Sequence, residues 1–147
     1  MAPCAALAEK RESKKKEELL QDMRCDFGGR AAEILVYGKD EGLSTGPSSD
    51  LEHATNLART MVCRYGMDLD FGLLVTPELM KYEGALSSPM YVKVNEAASK
   101  ILKEQMDLTE NLLKVNRKHL DVVAEALVEK ERLTTEELQK ILPAITV

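Results

Sequence analysis

The chain has 147 residues, 44% hydrophobic and 31% charged, which is the balance of one globular domain and not of a disordered segment. Lys and Arg total 20 against 25 Asp and Glu, giving a net charge of −5. That sign argues against nucleic acid or an anionic membrane as partner, since both recruit clustered positive charge. No apolar run approaches the about 20 residues that span a bilayer, and no secretory signal opens the chain. The three cysteines (Cys4, Cys25 and Cys63) are odd in number and lack Cys-x-x-Cys spacing. They read as free thiols of a soluble protein in a reducing compartment, either cytoplasm or an organelle interior, and they exclude a zinc ribbon.

Aromatic residues make up only 4%, so few strands are expected. Residues 1–13 read as a frayed start, and the charges of Lys10–Lys16, interleaved with glutamates, as a solvated helix face. A helix is predicted from about Lys14 to Cys25, with Leu19, Leu20 and Met23 on one stripe. Gly28-Gly29 then interrupts, for a kink or for close approach of another helix, and Arg30–Tyr37 resumes a helical composition up to a stop at Gly38. Residues 38–49 form a loop by their Gly, Ser and Pro content.

Ser49 with Glu52 three residues on predicts a capping box. The helix it opens carries Leu51, Ala54, Leu57, Ala58, Met61, Val62 and Tyr65 at helical spacing, and Gly66 closes it. Residues 67–90 are irregular, with at most a short extended segment near 72–76 ended by Pro77. A long helix follows from about Tyr91 to Lys114. Asn116 then caps a helix whose predicted buried face is Leu120, Val123, Ala124 and Leu127. Thr134 and Glu137 form a second capping box, opening a short helix over 135–142 that stops at Pro143. The fold class expected is all-α, a single helical bundle over residues 1–147.

Chemistry is sparse. There is no G-x-x-x-x-G-K-[ST] loop, and the two histidines, His53 and His119, cannot form an H-E-x-x-H pair. No Ser-His-Asp arrangement is positioned by the sequence. Asp50 falls at a helix start, where a carboxylate favours the positive end of the macrodipole. His53 lies three residues on, on the same face. The two can grip a metal weakly, but a solvated histidine is the plainer reading. His119 reads as a surface or boundary residue. Met61, Met67 and Met106 read as core fillers, and Cys63 as a buried, inert thiol.

The middle of the chain carries more. The stretch FGGRAAEILVYG, followed by STGPSSDLEHATNLARTMVCRYGM, resembles the peptidase domain of FtsH-type ATP-dependent zinc metalloproteases. The matching positions are Gly28–Glu33, Thr45-Gly46, Ser49-Asp50-Leu51, Ala54–Arg59, Met61-Val62 and Arg64–Met67. The tail HLDVVAEALVEKERLTTEEL is also similar, so the resemblance covers about residues 17–142.

The resemblance implies a mechanism. In that family two histidines of H-E-x-x-H and a downstream aspartate bind zinc, and the glutamate acts as general base on the metal-bound water. The aspartate maps onto Asp50. The residues before Gly28 contain no histidine, so this chain keeps one candidate ligand without the other two or the base. The ATPase module and membrane anchors of the family are likewise not in this sequence.

A second departure is Arg24 and Asp26, charged where the family is apolar beside its catalytic helix. Both side chains are therefore expected to face water, which favours a degenerate paralogue over a cut-out of an active enzyme. No catalytic residue is assigned, and Asp50 is the single candidate metal ligand. No cofactor is expected in this chain, with zinc belonging to the family. Self-association or a protein partner is expected, because the family's peptidase domains assemble into rings. The expected function is a non-catalytic peptidase-like domain acting through helical surfaces. The alternatives are a fragment of an active zinc metallopeptidase and a generic helical adaptor.

Overall fold

The computed structural model describes residues 13–75 and 88–142. They form five helices and, among the described residues, no strand: α1 (Lys16–Tyr37), α2 (Ser48–Cys63), α3 (Pro89–Val115), α4 (Arg117–Lys130) and α5 (Thr135–Ile141). The all-α expectation holds. Gly72–Val75 is irregular, and Thr76, Pro77 and Pro143 lie outside the described residues, as does the frayed start predicted up to residue 12.

The first difference from expectation is α1, which runs unbroken through Gly28-Gly29. Two adjacent glycines weaken a helix by roughly 1 kcal/mol each. That loss is offset because Leu19, Met23, Phe27 and Ala31 fall at i, i+4 intervals and are all buried, so one apolar stripe crosses the glycines without a break. The glycines do not serve a close approach among the described residues, since a Cβ at either would meet nothing within 4 Å. Gly38 ends the helix as predicted, with φ +86° and its N–H donated to Ile34 O at 2.9 Å.

Helix α2 starts two residues earlier than predicted, after Pro47, and no side chain caps it. The Ser49–Glu52 capping box is therefore absent. Ser49 already lies inside the helix, so its backbone cannot take the extended conformation of a cap residue. At the other end the helix stops at Cys63, short of the predicted Gly66; Gly66 adopts φ +60° just beyond, and Met67 N–H turns back to Met61 O at 3.0 Å. Ser88 caps α3 by accepting from Tyr91 N–H at 3.1 Å, with Pro89 at the first helical position.

Helices α1, α2 and α3 close around one core. Its members are Leu19, Met23 and Phe27 from α1, Ala54, Ala58, Met61, Val62 and Cys63 from α2, and Val94, Ala98 and Ile101 from α3. Met61 and Cys63 are buried as predicted, and Met67 and Met106 lie partly buried against the core. The alanines of α2 and α3 let the helix backbones approach closely, and the larger Met and Ile side chains fill the space between them.

The predicted buried face of α4 is not buried. Leu120 and Val123 are half-buried, Ala124 and Leu127 are exposed, and neither α4 nor α5 contributes a fully buried residue. Periodicity names the face that would be buried, but the three-helix core is already closed before α4 begins. Asn116 also departs from its predicted role. Its side chain donates to Leu112 O at 2.9 Å, at the end of α3, instead of capping α4.

The second capping box does form. Thr134 Oγ1 accepts from Glu137 N–H at 3.2 Å, and Glu137 accepts from Thr134 N–H at 2.9 Å. Lys130 Nζ donates to Glu137 at 2.8 Å and, with the backbone bond, holds that carboxyl below the usual range. A depressed carboxyl contributes stability above its unfolded value, lost as pH falls through the folded one. We therefore expect the amide signals of residues 131–142 to shift toward unfolded positions as pH drops below about 4, the ordinary Glu value. Glu137→Gln keeps the capping geometry without the titration, and an NMR pH series on it should show no such transition.

Candidate metal-ligand site

Asp50 occupies the third helical position of α2 and is exposed. The positive end of the helix suits a carboxylate there, as the sequence suggested. His53, one turn on, does not turn to Asp50. Its Nδ1 lies 2.6 Å from Asp26 Oδ2 on α1, with the histidine side chain 64% exposed and the aspartate 17%. A carboxylate at that distance selects the tautomer carrying the proton on Nδ1, so the bond ties α1 to α2.

This overturns the expectation that Arg24 and Asp26 face open water. Asp26 is mostly buried and hydrogen-bonded to His53. Arg24 is 23% exposed, donating to Gln105 Oε1 at 2.6 Å and to Glu17 at 2.6 Å. Gln105 is itself buried on α3, so the arginine satisfies an amide oxygen that would otherwise be stranded. Charges standing where the resemblance implies apolar side chains are accommodated by polar partners, Gln105 on α3 and His53 on α2 among them. The two residues therefore give no ground for inferring a missing neighbour.

The loop leading into α2 is held by a polar junction. Arg30 donates to Glu33 at 3.3 Å and to Ser44 O at 2.9 Å, and Ser44 Oγ donates to Glu33 Oε1 while accepting from Gly46 N–H at 3.1 Å. Arg30 and Glu33 are 15% and 23% exposed. Gly42 is buried under the same loop, its backbone against the carbonyls of Glu33 and Gly38. Sequence reading marked Arg30, Glu33 and Gly46 only as positions of a motif. The one signal in the sequence that bears on their meeting is the spacing of two short motifs with a glycine-rich loop between them.

A zinc ion of the expected kind does not fit these residues. Catalytic zinc takes three protein ligands, and among the described residues no group of three His, Cys, Asp or Glu side chains could hold a metal. His53, the residue the sequence pairs with Asp50, is engaged with Asp26. His119 is far along the chain on α4, with its Nδ1 buried and unpartnered among the described residues.

Comparison with known proteins agrees with the motifs. A family model, peptidase family M41, matches residues 4–141. The chain belongs to that family. It is 36% identical over 135 residues to the ATP-dependent zinc metalloprotease FtsH of Mycoplasmoides gallisepticum, covering 87% of this chain and 17% of that protein. It is 38% identical over 127 residues to the chloroplastic/mitochondrial ATP-dependent zinc metalloprotease FTSH 11 of Arabidopsis thaliana, covering 86% and 15%. A third relative is the ATP-dependent zinc metalloprotease YME1 homolog of Schizosaccharomyces pombe, 37% identical over 128 residues, covering 86% and 17%. This M41 chain thus spans less than a quarter of the length of the relatives it matches. No helix among its described residues is long and apolar enough to cross a membrane.

Proposed function

We propose that these 147 residues are a non-catalytic part of an M41 peptidase domain, a helical scaffold that cleaves no peptide bond alone and works through its helix surfaces. The observation that carries this is the isolation of Asp50. The residue matching the family's third zinc ligand belongs to no group of three metal-capable side chains among the described residues, and the sequence contains no H-E-x-x-H. Without that motif no general base stands ready to activate a water.

A second reading is supported by the match to only 17% and 15% of the length of the FtsH and FTSH 11 relatives. Here the chain is one segment of an active peptidase, and Asp50 completes a zinc site whose histidines lie on other residues. Self-association through the exposed apolar positions of α4, such as Val122 and Val128, belongs to either reading.

Metal analysis and casein hydrolysis on the purified chain test the first reading. We expect no stoichiometric zinc and no chelator-sensitive hydrolysis. Hydrolysis by this chain that disappears in Asp50→Ala would overturn it. Hydrolysis that appears only when a longer chain supplies an H-E-x-x-H helix would establish the second.

A further inference from the structure

Helix α2 begins without a cap of its own. Pro47, at its cap position, has no side-chain acceptor, and the helix has no side-chain cap bond. Its first residue is tied instead to the preceding loop, through Ser48 N–H to Thr45 O at 3.2 Å, ahead of the helix's own first bond from Leu51 N–H to Pro47 O at 3.0 Å. That loop is in turn gripped at Ser44 by two side chains of α1. Arg30 takes its carbonyl at 2.9 Å, Glu33 takes its hydroxyl proton, and the hydroxyl oxygen accepts from Gly46 N–H. Gly42 anchors the earlier part of the loop by its bond to Gly38 O at 2.9 Å, whereas Leu43 beside Ser44 points out at 59% exposure.

We propose that Ser44, held between Arg30 and Glu33, is a positioning residue that sets the first turn of α2 and with it the carboxylate of Asp50. The consequence for Asp50 rests on reading that residue as a metal-facing carboxylate; the junction itself does not. The arrangement is coupled: one hydroxyl bridges an α1 carboxylate and a loop amide, so its removal frees both ends at once. Ser44→Thr keeps the bridge, and Ser44→Ala abolishes it.

Hydrogen exchange on the full chain reads this directly. In Ser44→Ala the amides of Gly46, Ser48 and Leu51 should exchange about tenfold faster, the factor that follows from losing a bond of ordinary net strength. The amides of Met61, Val62 and Ile101 in the core should keep their rates, and Ser44→Thr should restore the loop. Glu33→Gln, which leaves the hydroxyl but weakens its partner, should give the same regional acceleration to a smaller degree. Unchanged loop amides in Ser44→Ala would overturn the proposal. So would core amides accelerating in step with the loop, because Ser44 would then be only a general contributor to stability. No metal is read in this experiment, so its failure is distinct from a failure to find zinc at Asp50.

Discussion

Replacing Gly42 by alanine should destabilise the chain by about 3 kcal/mol, the upper part of the range for forcing a methyl group into filled space. A Cβ there would lie 2.7 Å from Glu33 O and closer still to Gly38 O. Both neighbours are backbone atoms at the end of α1, so neither can swing aside as a side-chain tip would. Gly42 also donates its N–H to Gly38 O at 2.9 Å, which holds it against those carbonyls. Relief of the clash requires the loop to lift away from α1 or the last turn of α1 to fray. Urea unfolding followed by circular dichroism would show the loss as a lower midpoint. A change under about 0.5 kcal/mol, typical of an unremarkable surface substitution, would mean that the loop does not sit on α1 as described.

Met61→Ala should cost about 3 kcal/mol, within the range for truncating a buried methionine. Met61 is fully buried in a core built from all three of α1, α2 and α3, and its carbonyl accepts from Met67 N–H just past the end of α2. The same core contains Ala54, Ala58 and Ala98, side chains too short to fill the vacated volume. The cavity therefore persists, and the loss exceeds the transfer term alone. Thermal unfolding would show a correspondingly lower midpoint. The matched change at the exposed surface of α4, Val128→Ala, should move it little.

These two effects mark where sequence reading was strong and where it stopped. Met61 is legible because its neighbours at i−4, i−3 and i+1 complete an apolar stripe, and a stripe of that width on a helix has to meet a core. Gly42 was legible only as a turn former. Nothing local says that this glycine, and not Gly38 or Gly46, is pressed against two carbonyls, because the contact is made by residues four and nine positions away.

The same division runs through the misread elements. Gly28-Gly29 was taken as a break because propensity is a local quantity. It is overridden by four buried side chains spaced along a continuous face of α1. The buried face of α4 was inferred from periodicity, which identifies an apolar side without saying whether a partner remains for it. Arg24 and Asp26 were assigned to solvent because a lone charge is expensive to bury, yet each finds a partner far along the chain, Gln105 and His53.

By itself the amino-acid order determined the helical class, most helix ends, the methionine core, the family and the absence of an H-E-x-x-H motif. All of these rest on spacing within a dozen residues or on short contiguous motifs. Only the tertiary structure decided that His53 answers to Asp26 and not to Asp50, and that Ser44 is held by Arg30 and Glu33. The physical reason is that a hydrogen bond between helices depends on their relative rotation and separation, which the sum of core contacts sets and no local pattern encodes.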